Sequence, residues 1–151
     1  MNISLDLLKK LREETSAGVS DCRAALEDAN GDYGKAKKLI MERGVAKAAK
    51  KADRETGAGL IESYVHGGKV GVLVELRCET DFVARTDAYK NLAHELALQV
   101  AAMNPKDVKE LMKGDYIRDP GMTIEALVKA TIAKVGENIT VARFTRIELG
   151  D

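Results

Sequence analysis

His66 and His94 are the only histidines in the chain, and Cys22 and Cys78 the only cysteines. Neither histidine has a close-spaced histidine or cysteine companion, so spacing signals no metal site. His94-Glu95-Leu96-Ala97-Leu98 imitates a zinc-protease helix, but Leu98 stands where the second histidine must be. Gly67-Gly68-Lys69 is no phosphate loop, because that pattern needs glycine at the place of Ser63 and Ser or Thr at the place of Val70. No nucleophile–base pair is signalled by spacing. Such partners can meet only in three dimensions, which leaves a small enzyme with an unrecognised site as an open reading. No residue pattern calls for a cofactor. The lack of bond-making motifs favours a protein that works by contact.

The residues best suited to contact are Thr80-Asp81-Phe82-Val83-Ala84-Arg85. They follow an apolar run, Val70, Val72, Leu73, Val74 and Leu76, and precede an Ala/Leu-periodic segment. A strand is expected to end at Cys78-Glu79, and a helix to start near Thr86-Asp87, where a side-chain oxygen can cap free N–H groups. The connection holds a carboxylate beside a large aromatic, in a chain with two Phe and no Trp. Two readings stand. Phe82 is a core anchor with Asp81 as a cap, or Phe82 is the point of a rigid tip that enters a partner's pocket.

The elements that must position this stretch follow from periodicity. Ser4 is the expected N-cap of a first helix carrying Leu5, Leu8 and Leu11, which Thr15-Ser16-Ala17-Gly18 breaks. Val19, Cys22, Ala25, Leu26 and Ala29 form a second stripe, stopped by Asn30-Gly31. Asp32 can cap a third helix with Tyr33, Ala36, Leu39 and Ile40, ending before Gly44. Eight basic residues lie between Lys35 and Arg54, opposed only by Glu42 and Asp53. That run either steers the chain toward an acidic partner or touches phosphates, or it is the solvated face of a linking helix; the lack of interleaved aromatics favours the last. Thr56-Gly57-Ala58-Gly59 marks a boundary. Leu60 to His66 and Lys69 to Cys78 flank Gly67-Gly68 as a hairpin, with Val70, Val72, Val74, Leu76 and Cys78 on one buried face. A helix with Tyr89, Leu92, Ala93, Leu96 and Val100 follows and ends near Asn104-Pro105. Lys106 to Met112 is a short helix and Lys113 to Met122 a loop. Thr123 then caps a helix closed by Gly136, and Ile139 to Leu149 completes a sheet. The fold class is α+β: a three-helix N-terminal module, then a small three-stranded antiparallel sheet packed with helices. Residues 1–44 are the expected module, 45–57 a basic helical linker and 58–151 the α+β core.

A length of 151 residues suits about one domain with a small satellite. A formal net charge of zero argues against a wholesale polyanion binder, so no direct nucleic-acid partner is expected. The two distant cysteines suit a reducing compartment. Met1 to Asp6 shows no basic region before an apolar core, and no run approaches about eighteen apolar residues. The expected place is the cytoplasm, with no membrane partner.

Glu79 to Arg85, with Gly71 to Leu76 before it, resembles the signature of the bacterial elongation factor Ts family. Leu11 to Gly18 followed by Asp21 to Leu26 makes a second match, and Lys134 to Ile139 a third. The matches fall in family order along most of the chain. The resemblance implies a ubiquitin-associated-like N-terminal module and guanine-nucleotide exchange on elongation factor Tu in its GDP form. It implies that Thr80, Asp81, Phe82 and Val83 wedge beside the partner's magnesium site. It also implies contact from the module, at Leu11, Arg12, Thr15, Gly18 and Val19, near the nucleotide. No bond chemistry and no cofactor are implied. The chain departs from the family where helices are usually inserted, between Lys106 and Met122, which implies a half-core completed by a homodimer. The alternative is a non-catalytic binding module for another partner.

Overall fold

The structure is a computed structural model that describes residues 2–151. Its first three helices are α1 (Leu5–Thr15), α2 (Val19–Asp28) and α3 (Tyr33–Lys51). Ser16 takes the left-handed conformation that ends α1, at φ 56°. Ser4 occupies the N-cap position of α1, but its side chain makes no capping bond. Asp32 does cap α3, accepting from the Lys35 N–H. Leu11, Cys22, Ala25, Leu26 and Ala36 bury a small core of their own.

The expected stop before Gly44 is not observed: α3 runs on through Gly44 to Lys51. A lone glycine inside a helix costs only about 1 kcal/mol, and here it allows a close crossing. A Cβ at Gly44 would lie 3.1 Å from Ala133 Cβ. The first part of the basic stretch is therefore helix continuous with the module, and Ala48 joins the larger core.

That core is built on β1 (Ala58–His66), β2 (Val70–Cys78) and β5 (Ile139–Glu148), in the order β1-β2-β5 with both pairings antiparallel. Gly67 and Gly68 turn the first hairpin with φ of 57° and 70°, which only glycine adopts cheaply in succession. Val72, Val74, Leu76 and Cys78 alternate into the core. Ala58 and Gly59 prove to be part of β1, not of a boundary segment. Gly59, at φ 142°, presses on β2 so closely that a Cβ would come within 2.1 Å of the Leu76 carbonyl oxygen.

Over the inner face lies α5 (Asp87–Met103), and against α5 packs α7 (Ile124–Val135), which also packs on α3. Tyr89, Leu92, Ala93, Leu96 and Val100 are all buried, as the stripe requires. Between β2 and α5 sits a one-turn helix, α4 (Asp81–Ala84). Between α5 and α7 come α6 (Val108–Lys113) and a short hairpin of β3 (Asp115–Tyr116) and β4 (Asp119–Thr123). The segment 113–122, expected as a loop, is thus partly paired. The buried Gln99 explains this: its Nε2 donates to the Asp115 carbonyl at 2.9 Å and its Oε1 accepts from the Ile117 N–H at 3.0 Å.

Candidate functional site

The stretch from Cys78 to Thr86 is held from below by burial and from both ends by threonine caps. Burial pushes the Cys78 thiol up, so it stays protonated, and it donates to the Thr80 carbonyl oxygen at 3.1 Å. Thr80 is the N-cap of α4, with Oγ1 accepting from the Val83 N–H at 3.4 Å. Thr86 caps α5 in the same way through the Tyr89 N–H, and its hydroxyl donates to the Val83 carbonyl at 2.7 Å. Two caps a turn apart leave the backbone of α4 little freedom. Val83 and Ala84 sink into the core at 6% and 7% exposure. Asp81 is exposed, and Phe82 is 82% exposed. The core-anchor reading of Phe82 is therefore overturned. A large apolar side chain held in solvent on a fixed turn contributes nothing to the core and is available for contact.

The four residues of the stretch thus divide by environment. Thr80 caps, Val83 anchors, and Asp81 with Phe82 project.

A second group of contacts was not legible in the sequence. Glu137 Oε1 accepts from the Thr80 N–H at 3.0 Å, and Glu137 Oε2 accepts from the Thr80 hydroxyl at 2.8 Å. Glu79 accepts from the Asn138 N–H at 2.8 Å and lies 3.6 Å from the Arg54 guanidinium. The Asn138 amide donates to the carbonyls of Ala52 and Arg54, at 3.4 and 2.9 Å. One residue pair after α7 therefore ties the tip to the exit of α3. The sequence signs at this place were that Glu137-Asn138 follows the helix-closing Gly136 and falls within the matched stretch Lys134 to Ile139, neither of which names the contacts.

In the N-terminal module, Arg12, Gly18 and Val19 are exposed and Thr15 is half-buried. Leu11 is fully buried, so it can serve that surface only by supporting it. Thr15 donates its hydroxyl to the Leu11 carbonyl at 2.6 Å and accepts from the Ala17 N–H at 3.3 Å, shaping the corner into α2. This corner and the facing helices α3, α5 and α7 line a groove of about 480 Å³. In the basic stretch, Lys37 pairs with Glu14 at 3.0 Å, Lys47 with Asp21 at 2.9 Å, and Arg43 with Asp28. Those charges hold the module together, which fits the solvated-face reading. The histidines serve surface packing: the Tyr64 hydroxyl bonds His66 Nδ1 at 2.8 Å, and its ring meets His94 edge-on. Among the described residues no three His, Cys, Asp or Glu side chains group to hold a metal ion, and no helix is long and apolar enough to cross a membrane.

Fold and site define an α+β protein with a three-helix module and an exposed aromatic tip on a doubly capped turn. The family model described as Elongation factor TS matches residues 79–151, from the tip to the last strand. The chain is 44% identical over 195 residues to Elongation factor Ts of Thermotoga maritima, covering 100% of this chain and 98% of that one. It is 41% identical over 197 residues to Elongation factor Ts of Fervidobacterium nodosum, and 42% over 197 residues to that of Coprothermobacter proteolyticus, with both chains fully covered in each case. The chain belongs to the elongation factor Ts family, and its role is that of a translation elongation factor. Those alignments are longer than the 151 residues of this chain, so the relatives carry internal residues that it lacks.

Proposed function

We propose that the protein is a guanine-nucleotide exchange factor that binds elongation factor Tu in its GDP form and promotes GDP release. The observation that carries this reading is Phe82, 82% exposed on a turn whose backbone is fixed by two caps. Such a tip can enter the partner and disturb its magnesium site, with Thr80 and Val83 holding Asp81 and Phe82 in place. Displacing magnesium removes the largest positive charge holding the diphosphate. By linkage, factor and nucleotide then weaken each other's binding by the same factor. Each tenfold loss of nucleotide affinity takes about 1.4 kcal/mol, within reach of a few buried contacts. The factor makes and breaks no bonds, and it works in the cytoplasm without a direct nucleic-acid partner. Arg12, Thr15, Gly18 and Val19 supply a second contact from the module. Separate hydrophobic clusters support treating residues 1–44 as a module and 58–151 as the core, with the 45–57 linker lending Ala48 to the core cluster. Release of a fluorescent GDP analogue from elongation factor Tu tests the reading. Acceleration by catalytic amounts of this chain is expected; an unchanged release rate together with tight binding would favour a plain binding module.

We further propose that the active form is a homodimer paired through the outer face of the sheet. On that face Ile61, Val65, Leu73, Ile147 and Leu149 stand 48–75% exposed. The register sets Val65 opposite Gly71 and Gly71 opposite Ile147, with Leu73 two residues on, so Val65, Leu73 and Ile147 share one patch. Contiguous apolar patches of this kind mark interfaces.

A further inference from the structure

We propose that Glu137 is the positioning residue of the tip: its carboxylate sets the backbone from which Asp81 and Phe82 project. The inference rests on the exchange reading above. Phe82 has almost no packing of its own, so its place in space is set by the chain on either side of it. On the C-terminal side, Val83 and Ala84 are buried and Thr86 caps the next helix. On the N-terminal side Thr80 is exposed, and its N–H has Glu137 Oε1 as acceptor at 3.0 Å. The second carboxylate oxygen accepts a hydrogen bond from the Thr80 hydroxyl at 2.8 Å. That bond orients the hydroxyl so that a lone pair faces the Val83 N–H, which is the capping bond of α4. One carboxylate therefore fixes both the backbone and the cap of the turn, and ionised acceptors make the stronger hydrogen bonds.

The clamp has a firm base. Gly136 closes α7 in the left-handed conformation at φ 80°, and Asn138, 6% exposed, is bonded to Glu79 and to the end of α3. Glu137 lies between these two fixed points, so its carboxylate is aimed by β5 and α7, not by the turn it holds. A glutamine can offer its carbonyl oxygen to the Thr80 N–H, but the Nε2 standing in place of the second carboxylate oxygen cannot accept from the hydroxyl. Its amide would compete with Val83 for the Thr80 oxygen.

Two measurements on the full chain test this. Hydrogen exchange at the Thr80 amide reads the clamp without any partner. Glu137→Ala should speed it by roughly tenfold, equal to about 1.4 kcal/mol, with the melting temperature nearly kept; an unchanged rate would overturn the clamp. GDP release from elongation factor Tu reads its consequence. Glu137→Ala should lower the acceleration, Glu137→Gln should fall between it and the wild type, and neither change should add to the loss caused by Phe82→Ala. Fully additive losses would mean that Glu137 does not act through the tip, and the proposal would fall. If Glu137→Ala does not fold, the isosteric Glu137→Gln carries both measurements. Should the wild-type chain leave GDP release unchanged, the exchange reading fails, and the Thr80 amide rates still decide the clamp.

Discussion

Phe82 and Val83 are neighbours in sequence with opposite surroundings, 82% and 6% exposed. Their truncation should therefore separate function from stability. Phe82→Ala opens no cavity, so the melting temperature should hardly move. Acceleration of GDP release should fall by roughly tenfold or more, as expected for losing an interface hot spot of about 2 kcal/mol. Asp81→Ala should act in the same direction and less strongly. Val83→Ala should do the reverse at first: a loss of about 1–2 kcal/mol in chemical denaturation, from deleted buried methyl groups. Its exchange defect should follow only from a loosened turn. A Phe82→Ala variant that unfolds would remove the tip's main residue from the mechanism.

At the level of elements, two positions act through contacts that only the fold supplies. Gly44 reads as a helix stop, yet α3 continues through it, and the missing side chain lets α7 cross so closely that a Cβ there would stand 3.1 Å from Ala133 Cβ. Gln99, which lies outside the apolar stripe of α5, is 1% exposed and pins the hairpin of β3 and β4 with both ends of its amide. Gln99→Leu would leave the Asp115 carbonyl and the Ile117 N–H without that partner. A stability loss of about 1–3 kcal/mol is expected by urea denaturation, with amide exchange at Ile117 rising more than exchange in β2. Equal rises at both sites would mean that the hairpin is held by other contacts.

For the molecule as a whole, the sheet offers one face to α5 and presents the other, with Leu73 at its centre, uncovered among the described residues. Paired across a two-fold axis, each copy would meet the same patch on the other. Light scattering at micromolar concentration should then give roughly twice the 16.4 kDa of one chain. Leu73→Lys, at a position already 48% exposed, should shift the free protein toward monomer without unfolding it. A wild-type monomer that still exchanges nucleotide would refute the paired half-core.

The local structure of this chain was legible because its causes are local. Period-two apolar residues in β2, the Gly67-Gly68 turn and the caps at Asp32, Thr123 and Gly136 each act within a few residues. The residues of the tip were legible too, by type and by family signature. Whether Phe82 faced the core or solvent was not, since an aromatic beside a helix start fits either packing. That depended on Val83 and Ala84 filling the space beneath the turn instead. The clamp by Glu137 and the tie by Asn138 join residues 57 to 86 positions apart, through hydrogen bonds that no spacing rule encodes. Side-chain chemistry and short-range geometry are written in the sequence; which distant groups meet is decided only when the chain closes on itself.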